Sequence, residues 1–104
     1  MTTQRTPDQT LNRTIKRRPF PLGQTYSTPG ALEAVHPEDM QAALLRHSGC
    51  DWGDCGPEDW EENEFSLDKY LRLFSVYHDR NGIKFWIITE ADRSATTILL
   101  PSEY

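Results

Sequence analysis

Three groups of side chains stand out along this 104-residue sequence for the reactions or contacts they would support. The first is His47, Cys50 and Cys55, an imidazole and two thiols spaced His-x2-Cys-x4-Cys, which is part of the ligand pattern of a zinc knuckle. A fourth ligand would have to come from Asp51, Asp54, His36 or His78, whereas structural zinc sites ordinarily show two clean ligand pairs. His47 also falls on the apolar side of its expected helix, where a hydrogen-bonded core histidine is the commoner outcome. The expectation is no metal and no cofactor, with His47, Cys50 and Cys55 as the alternative ligand set.

The second group is acidic. Residues 51–68 hold Asp51, Asp54, Glu58, Asp59, Glu61, Glu62, Glu64 and Asp68, and neither Lys nor Arg. Most such runs are solvated helix faces. The sharper reading is a surface that competes with DNA or RNA for a basic groove, its carboxylates standing in for phosphates while Trp52 and Trp60 provide apolar anchors. Its partner-binding residues would be Asp51, Trp52, Asp54, Glu58, Asp59, Trp60, Glu61, Glu62 and Glu64. The same charge repels a phosphate backbone, so the folded body is not expected to bind nucleic acid directly.

The third group, Glu90, Asp92 and Arg93 with Ser94, Thr96 and Thr97, surrounds a turn between two expected strands. With His47 or His78 as general base it would suit a nuclease or another phosphodiester-acting hydrolase. The alternative is a turn stitched by Asp92 and Ser94 to backbone amides, with Arg93 paired to a nearby acid. No Gly-rich phosphate loop, Gly-x-Ser-x-Gly elbow or His-Glu-x-x-His helix occurs, so a non-enzymatic protein is favoured.

These groups need elements to hold them. Residues 24–27 suit a short edge strand, and Thr28-Pro29 a helix start, Thr as N-cap and Pro at the first helical position. A second helix restarts at Pro37, where Met40, Ala43, Leu44 and His47 form one buried stripe and Gly49 suits a left-handed end. Pro57 opens a third, with Trp60, Asn63 and Leu67 on one face and the acids on the solvated side. Leu71 to Ile88 reads as a β-hairpin around Asp79-Arg80-Asn81-Gly82. A two-residue turn would set Tyr77 opposite Trp86, and a bulged one would set it opposite Phe85. A strand from Thr96 to Leu100 completes the pattern before Pro101. The expected fold class is α+β: short N-terminal helices packed on a three- to four-stranded antiparallel sheet that ends in a β-meander. One face of that sheet is covered by helices, and the other is left partly open for a partner or a homodimer.

Charge divides the chain. Residues 1–22 carry Arg5, Arg13, Lys16, Arg17 and Arg18 against Asp8, a net +4, while the remainder carries six basic against fifteen acidic residues, a net −9. With few apolar residues before Pro19 and Pro21, the expectation is a disordered basic tail over 1–22 and a single domain over 23–104. Such a tail would bind nucleic acid through counterion release or fold back on the acidic body. No apolar run is long enough for a membrane span, and two cysteines make no disulfide framework, so a cytoplasmic location is the default.

The segments "TPGALEAV", "RHSGCDWGD", "RLFSVY" and above all "WIITEADRSATTILLPSEY" resemble a family of small uncharacterised bacterial proteins carried on plasmids and integrative elements. The resemblance spans Leu22 to Tyr104 and supplies no catalytic residue or ligand. Where this chain has Cys50, the resembling sequences carry Gly. What the resemblance implies is a setting, an accessory protein of mobile DNA. For such cargo, anti-restriction or anti-CRISPR inhibition of a host nucleic-acid-handling protein is the expected class of role.

Overall fold

A computed structural model describes residues 19–104. The order of elements is β1 (Gln24–Ser27), α1 (Pro29–Ala34), α2 (Pro37–Ser48), α3 (Pro57–Lys69), β2 (Leu73–His78), β3 (Lys84–Thr89), β4 (Ala95–Leu99) and a closing 3-10 turn, Pro101–Glu103. The fold is α+β. Each helix opens on proline within its first turn, where the missing N–H costs nothing. The Thr28 hydroxyl accepts from Ala31 N–H at 3.2 Å, and the His36 ring accepts from Glu38 N–H at 3.2 Å, so both caps come from side chains.

The sheet runs β1-β4-β3-β2. Its last three strands form the antiparallel meander, but β1 lies parallel to β4, with Gln24 beside Ala95 and Ser27 beside Ile98. The sheet is therefore mixed rather than wholly antiparallel. Three helices separate β1 from β2, and that long excursion frees β1 from the direction a hairpin would impose. The β2–β3 hairpin takes the bulged register, Tyr77 opposite Phe85 and His78 opposite Lys84. Gly82 at φ +82° is the bulge residue. Asp79 holds the turn: its carboxylate accepts from Asn81 and Ile83 N–H at 2.8 and 2.9 Å, and from His36 N–H at 2.9 Å. Those bonds fasten the hairpin to the start of α2 and keep the carboxyl below the usual carboxylate range.

Ala31, Met40 and Ala43 of the first two helices, with Val35 between them, pack on Tyr77, Phe85, Ile87 and Ile98 of one sheet face. A second cluster joins Phe20, Cys50, Trp52 and Leu73, flanked by half-buried Trp60 and Leu67 of α3. The expected tail over 1–22 falls outside the described residues up to residue 18. From Phe20 onward the chain belongs to the body: that ring is buried, its N–H donates to Ser48 C=O at 3.1 Å, and its C=O accepts from the Ser48 hydroxyl at 3.1 Å.

The end of α2 differs from expectation by one residue. Gly49 has φ −86°, and the left-handed position is taken by Cys50 at φ +69°. Cys50 N–H bonds to His47 C=O at 3.0 Å and Asp51 N–H to Arg46 C=O at 2.8 Å, the paired bonds of a Schellman end. Among the described residues, no helix is long and apolar enough to cross a membrane.

Candidate functional site

The structure first decides what His47 does. Helix α2 drives it into the sheet, fully buried, with the rings of Phe20 and Trp52 edge-on to it at 5.2 and 5.7 Å. Its Nδ1 lies 2.6 Å from Ser75 Oγ and its Nε2 2.9 Å from Thr89 Oγ1. Thr89 Oγ1 is in turn 2.8 Å from Thr96 Oγ1, whose hydroxyl donates to Leu22 C=O at 2.7 Å. A carbonyl can only accept, so the whole relay acquires a direction. Thr96 donates to Leu22, Thr89 to Thr96, His47 Nε2–H to Thr89, and Ser75 to Nδ1. Every member is satisfied by a neutral imidazole. Burial, reinforced by the Arg93 charge, lowers the imidazole pKa from 6.5 to about 3. His47 thus has no nitrogen to give to a metal or a substrate.

That finding removes two of the constellations read from sequence. His47, Cys50 and Cys55 do not assemble a centre, and among the described residues no three His, Cys, Asp or Glu side chains are placed to hold a metal ion. Cys50 is buried, and the Cys55 thiol, pushed up to about 11 by burial, sits 3.5 Å from Phe74 C=O.

The turn residues also part company. Arg93 is 7% exposed and has φ +63°, so its side chain turns inward. Nη1 donates to the carbonyls of Leu71, Ala91 and Glu90 at 2.6, 2.9 and 3.2 Å, and Nη2 to Ser66 C=O at 3.1 Å. The guanidinium also lies over the rings of Tyr70 and Phe20, at 5.2 and 5.9 Å. Expected beside an acid, Arg93 instead clamps the end of α3 to the β3–β4 turn through backbone carbonyls. Glu90 faces outward to Arg72 at 3.4 Å, and Asp92 accepts from Ser94 N–H at 3.0 Å, the stitched turn. Catalysis by His47, Glu90, Asp92 and Arg93 would need them to converge, and they do not.

The acidic group divides in two. Asp51 pairs with Arg46 at 2.8 Å and accepts from Gly53 N–H at 3.0 Å; Asp54 pairs with His78 at 2.8 Å. Glu64 accepts from Trp52 Nε1–H at 2.8 Å. Trp52 is 0% exposed and Trp60 is half-buried, both packed in the cluster under α3. Asp51, Trp52 and Glu64 therefore build the fold, and Trp52 cannot anchor a partner. Glu58, Asp59, Glu61, Glu62 and Asp68 remain exposed along α3. At 100° per residue, Glu58, Glu61 and Glu62 share a stripe whose centre is Phe65, which is 54% exposed. This aromatic was missed among the anchors, although the same helical spacing that groups the glutamates places it between them.

A second exposed feature lies on the sheet face away from the helices. Phe74 and Trp86 meet edge-on at 5.0 Å, Trp86 and Tyr104 at 5.6 Å, and with Arg72 and Ile88 they line a groove of about 290 Å³. Arg72 holds the Tyr104 hydroxyl at 3.0 Å across it.

Comparison with protein-family models, with curated proteins and with solved structures finds no match to this chain.

Proposed function

We propose that this chain is a non-enzymatic interaction protein of a bacterial mobile element, an anti-defence inhibitor that fills the basic groove of a host nucleic-acid-handling protein. The observation that supports this reading is the outer face of α3, where Glu58, Asp59, Glu61, Glu62 and Asp68 are all exposed around Phe65. Neighbours three and four residues apart on a helix stand about 5–6 Å from one another at Cβ, so the carboxylates form a dense row. A row of anions on a helix steers a cationic groove from beyond contact distance. Phe65 adds what charge alone lacks, an apolar group to desolvate at the centre of the contact.

The test is capture from a bacterial host lysate followed by displacement. A partner held through this surface is released by excess duplex DNA or RNA and by salt, and it is not captured by the Glu58→Lys/Glu61→Lys/Glu62→Lys chain. Capture that withstands nucleic acid, salt and the triple reversal rejects the proposal.

A further inference from the structure

The sheet face turned away from the helices has a charge pattern of its own. Phe85, Ile87 and Thr89 point into the core, so the alternation of β3 sends Lys84, Trp86 and Ile88 to the open side. On β2 the same alternation sends Phe74, Val76 and His78 there, and Arg72 lines the groove beside Phe74. The register pairs His78 with Lys84, Val76 with Trp86 and Phe74 with Ile88, and Arg72 follows at the far end. Level by level the face reads cation, apolar, apolar, cation. Successive levels are two residues apart, so the Lys84 and Arg72 levels are separated by about 20 Å along the strands.

Charge selects what this face can hold. Residues 23–104 carry six basic against fifteen acidic side chains, and two of the six, Arg72 and Lys84, stand here. Both are exposed. Arg72 has Glu90 at 3.4 Å, and Lys84 forms no ion pair among the described residues. Between them the groove of about 290 Å³ has room for an aliphatic or aromatic side chain. In its lining, Trp86 Nε1 is buried without a hydrogen-bond partner, the single such side-chain atom among the described residues. An acceptor brought to that N–H would offset a cost that the free chain carries.

A second copy fits the face poorly. Three strands about 4.8 Å apart and about 20 Å long offer roughly 300 Å². A standard interface needs about 800 Å² from each partner. Two such faces in contact would also oppose cation to cation at their ends.

We infer that the open face of β2 and β3 docks an extended acidic segment of another protein, in which two carboxylate residues six positions apart flank two apolar residues at alternate positions between them. In an extended chain alternate side chains point the same way. The first and seventh residues then reach Arg72 and Lys84, while the third and fifth meet the apolar levels. The exposed end charges set encounter and register, and the apolar middle holds the complex. This site shares no residue with the α3 surface, and neither reading rests on the other.

The test uses the isotope-labelled full chain and a capped heptapeptide, Glu-Ser-Leu-Ser-Phe-Ser-Glu. The chain has three tryptophans, so three indole N–H resonances are followed by NMR, that of Trp86 being assigned by its loss in Trp86→Phe. The Trp86 resonance should shift saturably, with a Kd of about 1 mM or tighter, while those of Trp52 and Trp60 stay in place. Arg72→Gln/Lys84→Gln, which alters only exposed side chains, should weaken binding about tenfold or more at low salt. The same loss is expected for a peptide with lysine in place of both glutamates, and for Glu-Leu-Ser-Ser-Ser-Phe-Glu, which turns its apolar residues to the other side. No saturable Trp86 shift overturns the inference, as does equal affinity for either control peptide or unchanged binding in the double variant. Trp86 shifts that follow the concentration of the chain alone put a second copy on the face and overturn it too.

Discussion

The side-chain amide of Asn63 pairs with both backbone groups of Phe74. Its Nδ2 donates to Phe74 C=O at 2.6 Å and its Oδ1 accepts from Phe74 N–H at 3.0 Å. The residue behaves as a one-unit strand laid against the outer edge of β2. Beyond it the edge is closed by backbone: Val76 N–H donates to Trp52 C=O at 3.3 Å, and Asp54 N–H to Val76 C=O at 2.7 Å. Gly53 at φ +71° permits that approach, since a side-chain carbon there would stand 2.1 Å from Val76 O. Together these contacts cover an edge that would otherwise template pairing with another chain.

Asn63→Ala should therefore cost more than one ordinary hydrogen bond. It strips a buried amide partner from two backbone groups, about 2–3 kcal/mol by urea denaturation, and re-exposes part of the β2 edge. Asn63→Asp keeps the acceptor, loses the donor and places a charge beside Phe74 C=O, so it should be no milder. A loss below about 0.5 kcal/mol in Asn63→Ala would show that the edge is held by residues 52–54 alone.

The relay through His47 gives a pH dependence with a definite sign. The folded pKa, about 3, lies below the unfolded value near 6.5, so between them the unfolded chain binds the extra proton. The stability that His47 contributes is complete above pH 6.5 and is lost as pH falls toward 3, with a slope approaching about 1.4 kcal/mol per pH unit. Carboxylates held below their usual range, such as Asp79, also lose stabilisation as the solution is acidified, so the useful quantity is a difference. His47→Gln should be less stable than wild type at pH 7, and the gap should narrow steadily from pH 6.5 to 4.5. A gap that stays constant over that interval would mean that His47 is not held neutral.

Much of this architecture is legible in the sequence, and the parts that are not share one cause. Prolines with Thr28 or paired acids mark the helix starts, and the aromatic and β-branched runs mark β2 and β3, because those signals are local. Direction and partnership are not local. Nothing in Gln24–Ser27 specifies pairing with β4 rather than a meander neighbour, since the choice is made across three helices. The same applies to chemistry. His47, Arg93 and Trp52 attract attention because such residues are common in sites, yet each is consumed by the core: a hydroxyl relay, four carbonyls and Glu64. Their positions along the chain show periodicity, but each has a hydrogen-bond partner far along the chain: Thr89 lies 42 residues from His47, Ser66 27 from Arg93 and Glu64 12 from Trp52.

Arg93 offers the sharpest test of that reassignment. Its planar fork serves carbonyls on three separate segments, which an ammonium cannot match in number or geometry. Arg93→Lys keeps the charge that a phosphate-binding role would need, yet should lose about 2 kcal/mol or more of stability through the unmet carbonyls of Leu71, Glu90, Ala91 and Ser66. Asp92→Ala, by contrast, removes one exposed bond to Ser94 and should cost less than about 1 kcal/mol. If Arg93→Lys unfolded at the same urea concentration as wild type, the clamp would not be structural, and the turn would return as a candidate site.

Two aromatic residues should exchange the roles that their sequence positions suggest. Trp52, within the acidic stretch and flanked by Asp51 and Asp54, is sealed beneath Phe20 and bonded to Glu64, whereas Phe65 stands in solvent among the glutamates. Trp52→Ala should remove about 3–5 kcal/mol of stability, as truncation of a buried aromatic does, and would say nothing about a partner surface. Phe65→Ala should change stability by less than about 0.5 kcal/mol while weakening partner capture by 2 kcal/mol or about thirtyfold if it is the central anchor. Single reversals at Glu58 or Glu62 should act mostly on the rate of association and fade at high salt, because exposed carboxylates steer encounter more than they hold the complex. A partner that is retained at full affinity by Phe65→Ala, yet lost on reversing the glutamates, would mark the contact as purely electrostatic. The row of carboxylates would then be the whole of the recognition element, and the aromatic only the residue of a solvated helix.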